Sequence, residues 1–570
     1  MPGGKIRLYR MSAVFVLCLG ASVPAWAQNI TPSGQISPGQ TRPIPEVSVP
    51  RFDFRIETPR PSPVPRAVEE LSFKIKDIRV IGAKVYGADA FRPLIAPLIG
   101  QSVHLSDIIR VADEIERKYR ADGYVLTRVY VPAQSVNNGI FTIAVVEGYV
   151  AAVSVTGGSE SERKRVERLL APVTASRPLK LEVIEDALTK ANSGYGAGVS
   201  GLLRPSPNQP GASDLVATIS SERVSVLLSV DNRGAELTDP WTVSAEVAVR
   251  SPFNEGGVVL LDLSAAPTEP HIRNSESIRY LYPVGDSGLL LTLNALNAHG
   301  QPANVAGATD FTSDNQAVGV RLTYPLITTR KTKLSIDGGF TWQQSFLREL
   351  GGLINDEDQW READIALVFE DTGTLYGTTS ATLDLTQGLP IFGASHAGDP
   401  TVSHLGAVPD FTKLSAVVRR IQQLYGPISL ALTGTGQYGF NTLYVGEEIS
   451  FGGAAIGRGY DPAAITGDIG VGGDAEVRWD LEGIDGKHID SPNIKINHAE
   501  LYAFYDAAKV WVHSGTIKPD YIASTGFGGR MIVEDRWSTG LEVAVPLKQV
   551  PTSDFGKKAV RVLFNGSVKF

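Results

Sequence analysis

The sequence predicts a mainly β fold, in which an antiparallel transmembrane barrel of about 16 strands follows two small α+β units. Residues 224–570 alternate apolar and polar side chains between turn residues, at roughly 10 residues per strand. The two segments in front of them repeat one order of elements. The mean hydropathy of −0.01 suits a barrel, because lipid-facing and lumen-facing residues average out along each strand.

The first residues read as a targeting segment. Basic residues precede an apolar stretch at 11–21, and residues 25–27, Ala-Trp-Ala, have the small-x-small form that signal peptidase accepts. We therefore expect a signal peptide at residues 1–27. Cys18, the only cysteine, lies inside it, so we expect the mature chain to have no disulfide, thiolate metal site or cysteine nucleophile.

Composition excludes several classes of protein. The net charge of −8 and the absence of a basic patch argue against a nucleic-acid partner. Beyond the signal peptide no run of 18 apolar residues occurs, which argues against a helical membrane protein. Residues 28–70 are predicted to form an extended linker, because nine prolines within residues 28–66 remove backbone donors and block helix formation.

Residues 71–148 are predicted to form the first small unit, with the order β-α-α-β-β. Residues 71–80 alternate at period two, Ser106 can cap a helix that stops at Gly123, and strands follow at residues 124–132 and 140–146. Residues 149–223 repeat this order. Two copies of one small topology indicate tandem domains, and neither copy is large enough for an internal catalytic cavity.

The barrel prediction for residues 224–570 competes with a soluble β-sandwich or propeller. Charged residues such as Arg321 and Asp337 occupy the polar side in mid-strand, which favours a wet lumen. The last strand alternates up to Phe570, a pattern that outer-membrane assembly machinery reads. We expect contact with outer-membrane lipid and lipopolysaccharide, assembly by that machinery, and a monomer.

Short motifs in the first unit and the barrel carry a family resemblance. They occupy residues 121–124, 128–134, 138–139, 146–148, 231–234, 238–241, 456–460 and 504–510. The candidate residues are Gly123, Tyr124, Arg128, Pro132, Gln134, Gly139, Glu147 and Gly148 in the first unit, Arg458, Gly459 and Tyr460 in a loop, and Tyr505 and Asp506 in a strand. In this order they resemble the two-partner secretion transporters of the ShlB/FhaC/HecB family, in the POTRA-plus-barrel superfamily. The resemblance covers nearly all of the mature chain.

The resemblance implies a 16-stranded barrel in the Gram-negative outer membrane, with two periplasmic POTRA domains, that exports one secreted partner protein without ATP. It implies that the loop bearing Arg458 folds back into the lumen, where the guanidinium meets Asp506. Gly459 then lets the backbone turn where a side chain would clash. The pair Ala507-Ala508 departs from the family, which more often has glycine after the aspartate. The prolines of residues 28–66 argue against the pore-plugging helix that many members carry.

No enzymatic chemistry is expected. Gly470, Gly472 and Gly473 are followed by no GK[ST], and no G-x-S-x-G elbow is present. The eight histidines form no helical pair with a glutamate, so we expect no metal and no cofactor. Residues 356–358 are expected to form a solvated acidic loop, with a divalent-ion site as the alternative. The rival functions are a BamA- or TamA-type assembly insertase, a passive porin and an outer-membrane esterase.

Overall fold

The computed structural model describes residues 54–56, 72–87, 89–136, 139–192, 198–207, 209, 211–219, 223–235, 239–253, 256–301, 311–329, 331–349, 354–404, 406–481, 495–513, 520–549 and 559–570. The predicted signal peptide and nearly all of the predicted linker lie outside these residues. Within the described ranges no helix has both the length and the apolar character needed to cross a bilayer.

The first small unit packs one long helix on a short sheet. Its elements are β2 (Ser72–Lys74), β3 (Asp77–Ile81), α1 (Arg92–Ile95), β4 (Ser102–His104), α2 (Leu105–Ala121), β5 (Arg128–Tyr130) and β6 (Ile140–Val146), and β1 (Phe54–Ile56) precedes them. β3 pairs parallel with β6, and β6 pairs antiparallel with β5. α2 buries Ile108, Ile115 and Tyr119 in one cluster with Phe141 and Ile143 of β6, which forms the core of the unit.

Three local expectations for this unit were wrong. The strand expected at residues 71–80 is broken, because the Lys76 amide turns away to donate to the carbonyl of Gly139 at 2.8 Å. The strand expected at residues 124–132 shrinks to β5. Helix α2 begins before Ser106, with His104 as its N-cap and the Asp107 carboxylate accepting the His104 amide at 3.0 Å.

The second small unit has two helices on a four-stranded sheet. Its elements are β7 (Tyr149–Gly157), α3 (Glu160–Ala175), α4 (Leu181–Ala191), β8 (Val199–Pro205) and β9 (Ala212–Ile219). The sheet order is β1-β8-β9-β7, so β1, from the predicted linker, is its edge strand. Ser159 caps α3 in a capping box with Glu162. The core joins Val166 and Leu170 of α3 to Leu188 of α4.

The third part of the chain is a closed antiparallel barrel of 16 strands, counted over the described residues, as the sequence predicted. The strands are β10 (Val224–Asp231), β11 (Thr242–Arg250), β12 (Val258–Ala265), β13 (Arg273–Val284), β14 (Leu289–Gly300), β15 (Phe311–Thr328), β16 (Thr332–Glu349), β17 (Ile354–Thr372), β18 (Gly377–Gly388), β19 (Thr412–Tyr425), β20 (Ile428–Gly439), β23 (Ile469–Asp480), β24 (Ile496–Trp511), β25 (Asp520–Val533), β26 (Trp537–Pro546) and β27 (Arg561–Lys569). β21 (Ile449–Phe451) and β22 (Ile465–Gly467) lie outside the barrel sheet.

Alternation along the strands separates an apolar outer face from a polar inner one. On β15, Val318 and Leu322 are about half exposed on the outside, whereas Asp337 and Thr341 of the neighbouring β16 are buried. Residues 356–358, expected as a solvated loop, instead lie in β17, where the buried Asp358 accepts a hydrogen bond from the Ser403 amide at 2.9 Å.

The barrel closes between its first and last strands. β10 pairs antiparallel with β27, from Leu227 opposite Lys569 to Asp231 opposite Asn565. Phe570 extends this seam, because its amide donates to the carbonyl of Val226 at 2.8 Å and its carbonyl accepts from the Val226 amide at 3.2 Å.

The second small unit contacts short turns that connect barrel strands. Arg168 of α3 binds Asp286, in the turn between β13 and β14, at 3.1 and 3.4 Å, and Ser251, between β11 and β12, donates to Glu162. The loops between β18 and β19 and between β20 and β23 therefore begin at the opposite end. The strands differ in height: β10 to β12 have 8 or 9 residues, and β15 to β17 have 18 or 19.

Candidate functional site

The loop between β20 and β23, residues 440–468, folds back into the barrel; we call it the inserted loop. Inside it, β21 and β22 form a small antiparallel hairpin, with Ile449 opposite Gly467. Phe451, Ile456 and Tyr460 of the loop share a buried cluster with Val510 of β24 and Ile522 of β25. The loop therefore packs as part of the lumen interior.

Arg458 lies at the inner end of this loop, among four carboxylates of the barrel wall. Its Nη1 is 3.0 Å from Glu476 Oε2 and 3.0 Å from Glu542 Oε2, its Nη2 bonds Asp474, and its Nε is 3.6 Å from Asp506. All five side chains are less than a tenth exposed. The guanidinium also stacks on the ring of Phe504, 3.9 Å from its centroid. We call this arrangement the tip anchor.

The backbone beside Arg458 fits closely against the wall. Gly457 makes the turn, with φ +91°, a conformation that favours glycine. A Cβ on Gly459 would come within 2.7 Å of the Pro546 nitrogen, so this residue is needed for a close approach. The Gly459 amide donates to Ser524 Oγ at 3.1 Å, and the Tyr460 hydroxyl donates to the carbonyl of Ala523 at 3.0 Å.

The two wall residues singled out from the sequence point in opposite directions. Asp506 is fully buried, accepts the Arg458 amide at 3.3 Å and receives a hydrogen bond from Ser524 Oγ. Tyr505 is half exposed on the outer face, away from Arg458. Sequence reasoning missed the nearer partners, Asp474 and Glu476 of β23 and Glu542 of β26. Their signal is the two-residue spacing that puts Asp474 and Glu476 on one face of a strand.

Further arginines extend the tip anchor along the wall. Glu476 also binds Arg478 at 2.7 Å and Arg530 at 2.7 Å, and Arg530 binds Glu500. Arg233, in the loop after β10, lies 3.8 Å from Glu542. Fixed, mutually paired charges of this kind hold a buried cation better than an isolated pair would, because each group retains partners after losing water.

A second anchor holds the stem of the inserted loop on another part of the wall. Glu447 accepts hydrogen bonds from Lys413 Nζ at 2.5 Å and from Trp360 Nε1 at 2.7 Å. Gln437 Nε2 donates to the Glu447 carbonyl at 2.9 Å. The Trp360 ring stacks on Tyr444 of the loop, with centroids 5.7 Å apart. We call this arrangement the stem anchor. Nothing in the sequence motifs indicated it.

A third set of polar groups joins three loops beside the stem. His404 Nδ1 lies 3.0 Å from Glu448 Oε1 and 3.1 Å from the Leu443 carbonyl. Asp468 accepts the amides of Leu443 at 2.7 Å and His513 at 2.8 Å. One ligand atom of each of His404, Glu448 and Asp468 lies within 4.8 Å of the others, so among the residues that the structure describes this group could hold a metal ion. The hydrogen bonds and the ion pair that these groups make with one another and with the backbone account for the arrangement without an ion.

In the first unit, the candidate residues hold the fold together. Gln134 Nε2 donates to the Thr142 carbonyl at 2.9 Å and its Oε1 accepts the Thr142 amide at 2.8 Å. Arg128 binds Glu116 at 3.0 Å, and a Cβ on Gly139, φ +72°, would meet the Lys74 carbonyl at 2.4 Å. Pro132 follows β5, half-buried.

Glu147 holds parts of the first unit together, and two glycines connect that unit to the second. Glu147 Oε1 accepts from the amide of Lys84 at 2.6 Å and from the Tyr119 hydroxyl at 2.8 Å; burial and this hydrogen bond raise the pKa of Tyr119. The Gly123 carbonyl accepts the Leu181 amide at 2.9 Å, and the Gly148 carbonyl accepts the Leu179 amide at 3.0 Å, both from the second unit. Tyr124 packs its ring 5.9 Å from that of Tyr119. These residues therefore fix the domain and its junction.

Comparisons with known families agree with this architecture. The family model of haemolysin secretion/activation protein ShlB/FhaC/HecB matches residues 211–531, and that of the ShlB-type POTRA domain matches residues 73–148. Hemolysin transporter protein ShlB of Serratia marcescens is 25% identical over 390 residues, 65% of this chain and 66% of that protein. Heme/hemopexin transporter protein HuxB of Haemophilus influenzae (strain 86-028NP) is 24% identical over 280 residues, 48% of this chain and 49% of that protein. The chain thus spans about half the length of this last relative.

Solved structures share the fold. CdiB from Escherichia coli has a TM-score of 0.63 at 18% identity, covering 90% of this chain and 93% of that one. BamA from Haemophilus ducreyi lacking POTRA domains 1–3 has a TM-score of 0.53 at 14% identity, covering 87% of this chain and 100% of that one. At these identities the likeness concerns the fold alone.

Proposed function

This chain belongs to the ShlB/FhaC/HecB family of haemolysin secretion/activation proteins, and we propose that it is a pore through which one secreted partner protein leaves the cell. Its barrel lies in the Gram-negative outer membrane with its POTRA region in the periplasm. The observation that carries the proposal is the inserted loop, which packs inside the barrel and is held there by buried ion pairs. Such a loop can close the lumen and can be displaced.

The proposed transport begins in the periplasm. An unfolded partner adds a strand to the edge of a POTRA sheet, where main-chain hydrogen bonds provide affinity with little demand on side chains. It then passes through the lumen as the tip anchor releases, and its folding outside makes the passage directional. This model needs neither a nucleotide nor a cofactor, and we propose no catalytic activity.

We also propose the domain division and the remaining partners. Residues 1–27 are the signal peptide, 28–70 the linker, 71–148 and 149–223 the two POTRA domains, and 224–570 the barrel. Phe570 is the signal read by the barrel-assembly machinery. The mature protein is a monomer that contacts outer-membrane lipid and lipopolysaccharide.

Two substitutions test the pore model. We expect Arg458→Ala and Asp506→Ala to leave the barrel assembled, with its heat-modifiable gel shift, but to lower export of the secreted partner protein. The matched control is Arg279→Ala, which removes a lumen arginine paired with Asp262 outside the tip anchor. Normal export by both Arg458 and Asp506 variants would exclude the inserted loop as the gate.

The alternative is an assembly insertase of the BamA or TamA type, favoured by the BamA-like fold. Insertases usually carry three or more POTRA domains, whereas the described residues before the barrel form two small units. Depletion separates the two functions: loss of one secreted protein supports transport, and a general loss of outer-membrane proteins supports an insertase.

A further inference from the structure

Arg361 is a buried arginine on the outer face of the barrel. It lies opposite Trp342 of β16, and it shares its face of β17 with Ile365 and Leu367, which are about half exposed on the outside. Arg361 itself is only 2% exposed. Another part of the chain therefore covers this arginine on the side that faces the membrane.

The covering part is residues 389–394, at the start of the loop between β18 and β19; we call it the outer bulge. Arg361 Nε and Nη2 donate to the Phe392 carbonyl at 3.1 and 2.8 Å, and the Leu389 amide donates to the Arg361 carbonyl at 2.8 Å. The guanidinium also lies 4.7 Å from the centroid of the Trp342 ring. The arginine thus fixes the outer bulge against the outside of the barrel.

The outer bulge presents two apolar side chains to its surroundings. Phe392 is 76% exposed and Ile391 is 40% exposed. The Phe392 ring meets the ring of Phe340 on β16 edge to face, with centroids 6.5 Å apart. Phe392 has φ +48°, a conformation that is uncommon for a residue with a side chain. The apolar outer surface of the barrel therefore continues into the outer bulge.

The height of the outer bulge matches the outer boundary of the membrane. β16 begins at the end of the barrel where the second small unit lies, and Trp342 is its eleventh residue. A tilted strand crosses the hydrocarbon layer in about 9–11 residues. Trp342 and Arg361 thus lie where acyl chains meet head groups, the level at which membrane barrels carry aromatic residues.

The outer bulge leads into a segment that holds the inserted loop. Within this segment, residues 395–411, His404 Nδ1 lies 3.1 Å from the Leu443 carbonyl. Ser403 Oγ accepts the Val445 amide at 3.2 Å. A contact that fixes the outer bulge would therefore also steady the segment against which the stem of the inserted loop packs.

We propose that the outer bulge inserts Ile391 and Phe392 into the outer leaflet of the outer membrane, and that this contact steadies the stem of the inserted loop. The partner is a lipid surface, since an aliphatic and an aromatic side chain fit the boundary between acyl chains and head groups. The inference goes beyond the proposed function: it requires the barrel to lie in a membrane but does not depend on what the pore exports.

A fluorescent label at residue 392 tests the insertion. Phe392→Cys, in the mature chain, is labelled with nitrobenzoxadiazole and reconstituted into phosphatidylcholine vesicles; the only native cysteine, Cys18, lies in the predicted signal peptide. We expect blue-shifted emission that lipids with a nitroxide near the head group quench more than lipids with a nitroxide at the chain end. Ala397→Cys, exposed on the same loop, is the matched control and should give water-like, weakly quenched emission.

Water-like emission at residue 392, equal to that at residue 397, would overturn the lipid contact and leave the outer bulge as a surface for a protein.

A second measurement uses the native side chains as its reference and tests the link to the inserted loop. Ile391→Ser/Phe392→Ser should speed maleimide labelling of a cysteine at the buried Ser450 in the same vesicles. Phe253→Ser, which removes an exposed aromatic residue from the turn between β11 and β12, should not. Labelling of the double variant at the parent rate, with the heat-modifiable shift retained, would overturn the link between the membrane and the inserted loop.

Discussion

Arg458 is a single cation among four carboxylates, so its loss differs from the loss of any one acid. Arg458→Ala leaves buried like charges facing one another, and breaking a buried pair costs about 3–5 kcal/mol. Asp506→Ala removes the longest of the four ion pairs, together with the hydrogen bonds that Asp506 accepts from the Arg458 amide and Ser524, and leaves the other three ion pairs in place.

We therefore expect graded release of the inserted loop. A cysteine at the buried Ser450 reports it, because the mature chain proposed here has no other thiol. Maleimide labelling should be fastest in Arg458→Ala, slower in Asp506→Ala and slowest in the parent. Equal labelling in all three would show that the tip anchor does not hold the loop.

His404 makes the contact between loops sensitive to pH. The hydrogen bond to Glu448 raises the pKa of His404, burial opposes this effect, and the charges of Glu448 and Asp468 add to it. A histidine whose pKa is raised in the folded state stabilises the fold fully at pH values below its unfolded pKa of about 6.5. This stabilisation is lost as the pH rises through the folded-state pKa.

The expected outcome is a higher unfolding temperature, read from the heat-modifiable shift, at pH 5.5 than at pH 8.5. His404→Gln should reduce this difference, with the exposed His396→Gln as control. An unchanged difference in His404→Gln would assign the effect to other groups.

At the residue scale, the motif identified Arg458 and Asp506 but not the nearest partners of Arg458. Asp474 and Glu542 lie on strands separated by two others, and it is the pairing register of these four strands that brings them to one point. Periodicity identifies an inward residue, but it does not say which loop that residue meets. Tyr505 illustrates the same limit, since one position along the strand turns it outward.

At the element scale, the inserted loop is held at two separate places, its tip and its stem. Lys413 is the cation of the stem anchor, and Glu362 on β17 adds a second buried carboxylate beside it. Because Lys413 is the cation beside both carboxyl groups, its removal leaves Glu447 buried without its ion-pair partner.

We expect Lys413→Met to weaken retention of the inserted loop by about 3–5 kcal/mol, the cost of breaking a buried ion pair. Glu447→Gln should weaken it less. The double variant should recover part of the loss, since it leaves fewer unpaired charges. A double-mutant cycle on the unfolding transition measures the coupling, and additive single effects would contradict the pairing.

Elements were predictable where periodicity was long and ambiguous where it was short. The barrel strands follow from sustained alternation. β1 did not, because prolines dominate the linker and its three residues form a strand only by adding to β8. Helix α2 was expected from its apolar spacing, but its start was set by His104 and Asp107.

At the scale of the whole molecule, the barrel is taller on one side. A tilted membrane strand needs about 9–11 residues, so β15 to β17 extend well beyond the bilayer, while the strands at the seam barely span it. The strand count followed from length and alternation; this unequal height did not, because strand ends depend on the loops that pack on them.

The tip anchor has a further consequence for whatever crosses the open conduit. Once Arg458 has left, the described wall around its former place retains five carboxylates, Asp474, Glu476, Glu500, Asp506 and Glu542, against three arginines, Arg233, Arg478 and Arg530. Acidic linings favour cations. In a planar bilayer under a potassium chloride gradient, Arg458→Ala channels should give a reversal potential of the cation-selective sign. Adding Asp474→Asn should reduce this potential. A reversal potential of the anion-selective sign would contradict the expected cation preference. Such a bore would act as an electrostatic filter, passing neutral and basic stretches of polypeptide more readily than acidic ones.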